Sequence, residues 1–108
     1  NAFALNFVNV AKSSPCNFAE VFTTDARLKS LNLTVLADDK NFFLSQLAGL
    51  VMRDETYQQH PDLAKLATML GAKLTEPAMI ELNGKVDLEG RSADQTAADF
   101  LRANGFIR

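Results

Sequence analysis

The stretch Leu33-Thr34-Val35-Leu36-Ala37-Asp38-Asp39-Lys40 carries the reading of the fold. Apolar and β-branched residues in a row, stopped by three consecutive charges, form the pattern of a short strand that ends in a polar loop. Upstream, Phe18-Ala19-Glu20-Val21-Phe22 has the same character and ends in the polar cluster Thr23-Thr24-Asp25, with a helical turn over residues 26–30 between the two. Further back, Phe3, Leu5 and Phe7 alternate with smaller or polar residues and Val8 and Val10 continue the apolar content, which predicts another strand before the loop at residues 12–15. Downstream, the apolar residues 47–52 predict a buried strand, closed by Arg53-Asp54-Glu55.

The chain then turns helical. Pro61 suits a first helical position, with Asp62 behind it in the first turn. Leu63, Leu66, Ala67 and Leu70 recur at helical spacing before Gly71. Thr75 caps the start of a second helix carrying Met79, Ile80 and Leu82, and Ser92-Ala93-Asp94-Gln95 matches a capping box ahead of Ala97, Phe100 and Leu101. Asn104-Gly105 ends that third helix. A few strands followed by three helices predict an α/β architecture in a single domain over residues 1–108. The expected strands are too few to make a sheet covered on both faces, which points to a partner for them.

Composition narrows the function classes. With 11 basic against 13 acidic residues and a net charge of −2, the chain has no basic face for nucleic acid. No apolar run approaches the roughly 20 residues that cross a membrane as a helix. The lone Cys16 reads as a small half-buried side chain, with His60 as its only conceivable histidine partner. His60 itself reads as a cap or surface residue before Pro61, and no second histidine builds a metal site. Asp38 and Asp39 are adjacent on an extended chain, so their carboxylates point apart and do not converge on one ion. No nucleophile–base pair, phosphate loop or cofactor motif is present, so no catalytic residue, metal or cofactor is assigned. Two readings stay open for Thr23-Thr24-Asp25: the cap of the turn that follows, or polar groups at a strand end facing a ligand.

Five segments, in order, resemble the substrate-binding component of osmoprotectant ABC importers. They are Glu20-Val21-Phe22-Thr23-Thr24-Asp25-Ala26-Arg27-Leu28, Leu33-Thr34-Val35-Leu36-Ala37-Asp38-Asp39-Lys40-Asn41-Phe42-Phe43, Leu50-Val51-Met52-Arg53 with His60-Pro61-Asp62-Leu63, Met79-Ile80-Glu81-Leu82-Asn83-Gly84-Lys85-Val86-Asp87, and the tail Ala97-Ala98-Asp99-Phe100-Leu101-Arg102-Ala103-Asn104-Gly105-Phe106. The resemblance runs from about Phe18 to the end. It implies a type II periplasmic-binding-protein-like fold, of which this chain would be a partial second lobe plus the C-terminal return segment. It also implies extracytoplasmic, non-catalytic binding of a glycine betaine, choline or carnitine-like solute for a membrane permease.

Such solutes sit in a cage of aromatic rings, which attract a diffuse cationic charge. Phe22 occupies the place of a cage tyrosine in that resemblance, with Thr23, Thr24 and Asp25 beside it, and this favours the ligand-facing reading at least for Thr23. Where the family commonly has "F-F-P-P-Y", this chain has Phe42-Phe43-Leu44-Ser45-Gln46, so Gln46 stands in place of a second cage tyrosine. The family's first lobe is expected to be missing, and the helix ahead of the Phe22 segment to be deleted between Val10 and Phe18. Apolar surface meant for the absent part would then be covered by a homodimer with exchanged strands. The rival reading is a stand-alone interaction or regulatory module that borrows the fold and has lost the solute site.

Overall fold

The computed structural model describes residues 2–44 and 47–108. Among them are six helices and no strand: α1 (Ala2–Ala11), α2 (Ala26–Ser30), α3 (Asp54–Gln59), α4 (Asp62–Gly71), α5 (Glu76–Asp87) and α6 (Ala93–Ala103). The α/β expectation is therefore corrected. Residues 18–22, 33–36 and 47–52 adopt neither helix nor ladder. Strand-prone side chains make a strand only when a neighbour takes up their N–H and C=O groups and packs on their faces. Here Phe18, Leu36, Leu47 and Val51 are largely exposed.

The expected strand at the start of the chain is α1. A helix satisfies its own backbone without a neighbour, and the spacing of Phe3, Phe7 and Val10 suits one helical face as well as alternation suits a strand. The two patterns differ at Leu5, which a strand would place with Phe3 and Phe7. Leu5 is exposed, whereas Phe7 is 0% exposed. A helix, α1, thus precedes the Phe22 segment.

The described chain forms two compact units, Asn1–Val35 with Glu76–Arg108, and Leu36–Thr75. In the first, α5 packs against both α2 and α6. Phe7, Ala26 and Leu28 form the buried apolar centre. Phe3 meets Phe7 edge-on with centroids 5.7 Å apart. Close approach of α2 to α5 depends on Gly84, since a Cβ there would stand 3.3 Å from the Ala26 Cβ. Ser92 caps α6 by accepting from the Gln95 N–H. At the other end, the Phe106 N–H reaches the Leu101 carbonyl (2.9 Å) and the Gly105 N–H the Arg102 carbonyl (3.0 Å), with Gly105 at φ 76°. This is the Schellman closure, which glycine adopts without a steric penalty.

In the second unit, the Asp38 carboxylate accepts the backbone N–H groups of Phe42 (3.0 Å) and Phe43 (2.8 Å), folding residues 38–43 into a turn. Leu63, Ala64, Ala67 and Leu70 form the half-buried face of α4. Pro61 is the N-cap of that helix and Asp62 its first residue, one position later than the sequence places the start. The short α3, opened by Asp54 and Glu55, has no counterpart in the sequence reading.

Candidate functional site

The segment Phe22-Thr23-Thr24-Asp25 is a tight turn. The Asp25 N–H returns to the Phe22 carbonyl at 3.1 Å, and Asp25 then caps α2. One Asp25 oxygen accepts the Arg27 N–H at 2.8 Å, and the carboxylate also pairs with the Arg27 guanidinium at 3.1 Å. That guanidinium lies over the Phe7 ring, 5.8 Å from its centroid, within reach of a cation–π attraction. The cap reading of the sequence is thus realised by Asp25, and Thr24 plays a different part.

Helix α5 holds the turn from the other side. The Thr23 hydroxyl donates to a Glu76 carboxylate oxygen at 2.7 Å. The Asn83 carboxamide donates to the Thr24 carbonyl at 2.9 Å. The Phe22 ring lies tilted against that of Phe3 on α1, with centroids 5.8 Å apart, and remains 56% exposed. The turn therefore presents an aromatic ring and a hydroxyl to the outside from a base held by α1, α2 and α5. Its chemistry is that of contact and orientation: an aromatic face for a weakly hydrated cation or an apolar group, and a hydroxyl oxygen able to accept.

Gln46, the fifth candidate from the sequence, lies outside the described residues. Near it in sequence, Phe42 and Phe43 stack edge-on at 5.1 Å, and both are exposed. Asp38 is held below the usual carboxylate range, first by the Phe42 N–H and then by that of Phe43. With Asp38 turned onto the backbone and Asp39 facing Lys40 at 3.7 Å, the two carboxylates do not converge. Among the described residues no cluster of metal-ligating side chains occurs, and no helix is long and apolar enough to cross a membrane.

Sequence reasoning missed Phe3, Glu76 and Asn83 as parts of this arrangement. Asn83 stands inside a segment singled out for its resemblance, but a carboxamide that bonds a carbonyl 59 positions earlier leaves no local signal.

The family described as the substrate binding domain of ABC-type glycine betaine transport systems matches residues 3–103. The chain is 44% identical over 85 residues to a glycine-betaine-binding protein of Pseudomonas aeruginosa, covering 79% of this chain and 27% of that protein. It is 39% identical over 94 residues to an ergothioneine transport permease/ergothioneine binding protein of Helicobacter pylori, covering 87% of this chain and 17% of that one. A carnitine transport binding protein of Listeria monocytogenes is 30% identical over 96 residues, 89% of this chain and 31% of its own length. The chain thus spans less than a third of the length of each of these relatives. No solved structure matches it. The names of these relatives are those of binding and transport proteins, and the family match takes in nearly every residue of the five segments; the chain belongs to the family of substrate-binding domains of ABC-type glycine betaine transport systems.

Proposed function

We propose that this chain serves non-catalytic solute binding for an ABC importer, with a quaternary-ammonium or related solute as ligand and a membrane permease as the recipient. The observation that carries the reading is the Phe22 ring, 56% exposed on a turn otherwise fixed by its neighbours. A large apolar ring held outward on a fixed base suits a cationic methylated group, which gains from an aromatic face and needs no hydrogen bond. Thr23 contributes the adjacent hydroxyl, Thr24 and Asp25 shape the turn, and Gln46 is assigned a solute contact where the family commonly has an aromatic ring. An extracytoplasmic location accompanies this role.

The test is a thermal-shift titration of the chain with glycine betaine, carnitine, choline and ergothioneine, because a ligand that binds only the folded state raises the melting temperature by mass action. A saturable rise with one of them, lost in Phe22→Ala and kept in Phe22→Tyr, is expected. A cooperatively folded sample that responds to none would overturn the reading for this chain.

The run Phe42, Phe43, Leu44, Leu47, Leu50 and Val51 exposes an unusual amount of apolar side chain. We assign it to self-association of the chain, with light scattering across a concentration series as the measurement. A monomer at every concentration would remove that part and favour the reading as a stand-alone interaction module with a different partner.

A further inference from the structure

The turn that presents Phe22 hangs on a single peptide unit. Between Thr24 and Asp25, the carbonyl accepts the Asn83 carboxamide at 2.9 Å while the N–H donates to the Phe22 carbonyl at 3.1 Å. A peptide group is planar and stiff, so fixing the direction of its carbonyl fixes that of its N–H. Asn83 therefore acts on the backbone of Phe22 through one rigid plate. Two further contacts come from the same helix: Glu76 takes the Thr23 hydroxyl, and the bare Cα of Gly84 admits Ala26. Residues 23, 24 and 26 are each held by α5.

We propose that Asn83 is a positioning residue for solute binding, setting from α5 the turn in which Phe22 and Thr23 face the ligand. This rests on the reading of Phe22 as a solute contact. Asn83 touches no solute itself. Its carboxamide is part-buried and donates to the Thr24 carbonyl. Replacing it with the isosteric Asp removes the donor and sets an acceptor against an acceptor, which leaves a part-buried carbonyl unsatisfied and favours rotation of the peptide.

The test compares Asn83→Asp with Asn104→Asp in the full chain. Asn104 makes an equivalent bond, carboxamide to the Phe100 carbonyl at 2.9 Å, at the end of α6. Two quantities are measured: affinity by calorimetry for whichever of glycine betaine, carnitine, choline and ergothioneine the parent chain binds, and hydrogen exchange of the Asp25 amide by NMR. Asn83→Asp is expected to weaken binding about tenfold or more and to speed exchange at Asp25 by a similar factor, as loss of a part-buried hydrogen bond allows. Asn104→Asp should leave both within about twofold, whatever it does to the melting temperature.

Unchanged affinity, or unchanged exchange at Asp25, in a folded Asn83→Asp protein overturns the assignment. If Asn83→Asp does not fold, Asn83→Gln, which moves the donor outward by one methylene, decides by the same two comparisons. If the parent chain binds none of glycine betaine, carnitine, choline and ergothioneine, the solute reading of Phe22 fails by itself. Exchange at Asp25 then decides the hold of α5 on the turn, faster in Asn83→Asp alone sustaining it and unchanged refuting it.

Discussion

Arg27 meets Asp25 through both its backbone and its side chain. Its N–H lies 2.8 Å from one carboxylate oxygen, its guanidinium lies 3.1 Å from the other, and that guanidinium lies over the Phe7 ring. One carboxylate thereby caps α2 and anchors a cation over the most buried aromatic residue. The two roles are separable by substitution. Asp25→Ala removes both and should cost about 1–2 kcal/mol, most of it the cap. Asp25→Asn keeps an acceptor for the Arg27 N–H and loses only the ion pair, so it should cost less than about 1 kcal/mol, as partly exposed pairs do. Urea unfolding measures both, and equal losses would show that the ion pair, not the cap, dominates.

Gly84 sets how closely α5 approaches α2. An added Cβ meets Ala26 at 3.3 Å, tight but not prohibitive, while replacing a helical glycine with alanine gains about 0.5–1 kcal/mol in backbone entropy. The two effects nearly cancel, so Gly84→Ala should change stability by less than about 1 kcal/mol. Gly84→Val carries two further methyl groups into the same contact and should cost about 1–3 kcal/mol. Chemical denaturation of the pair is the measurement, and a harmless valine would mean the α2–α5 contact gives way easily.

The helices legible in the sequence were those with local signals at both ends. For α6, the capping box at Ser92 and the stop at Asn104-Gly105 are visible without any tertiary knowledge, and for α4 the spacing of Leu63, Leu66, Ala67 and Leu70 with Pro61 before it is nearly as clear, although Leu66 is exposed. The misread segments are those whose patterns fit either periodicity or need a neighbour. Phe3, Phe7 and Val10 fit both, and only the exposure of Leu5 separates helix from strand. Residues 33–36 and 47–52 carry strand-like side chains, yet a strand is a property of at least two segments, and propensity alone cannot supply the second. At the candidate site, the Phe22–Asp25 turn was legible as a choice between cap and ligand contact. Its attachment to Glu76 and Asn83 was not, because those contacts span more than fifty positions.

Thr96 is 4% exposed on α6, and among the described atoms its hydroxyl has no hydrogen-bond partner. A buried hydroxyl left unpaired loses its water without compensation. Valine has nearly the same shape and the same β-branching, so Thr96→Val keeps the packing and the stiffness at χ1. It should stabilise the chain by about 1 kcal/mol, raising the urea midpoint with an unchanged slope. A lower midpoint would mean that the hydroxyl is paired in solution.

Asp38 makes the turn over residues 38–43 sensitive to acid. Its carboxylate accepts from Phe42 and Phe43, and these two N–H groups favour the charged form, placing its titration below the ordinary 3.8. A carboxylate whose folded value is depressed contributes stability above its unfolded value and loses that contribution as the pH falls through the folded value. The turn should therefore be indifferent to pH at neutrality and begin to release only below about pH 4. An NMR titration reads this at the Phe42 and Phe43 amides, whose proton shifts should move together with one midpoint below 3.8. In Asp38→Asn, which keeps one acceptor and cannot titrate, that shared transition should vanish, and one of the two amides should exchange faster at every pH. A midpoint at or above 3.8 would mean the carboxylate does not hold the two N–H groups in solution, and the turn would then owe its shape to the backbone alone.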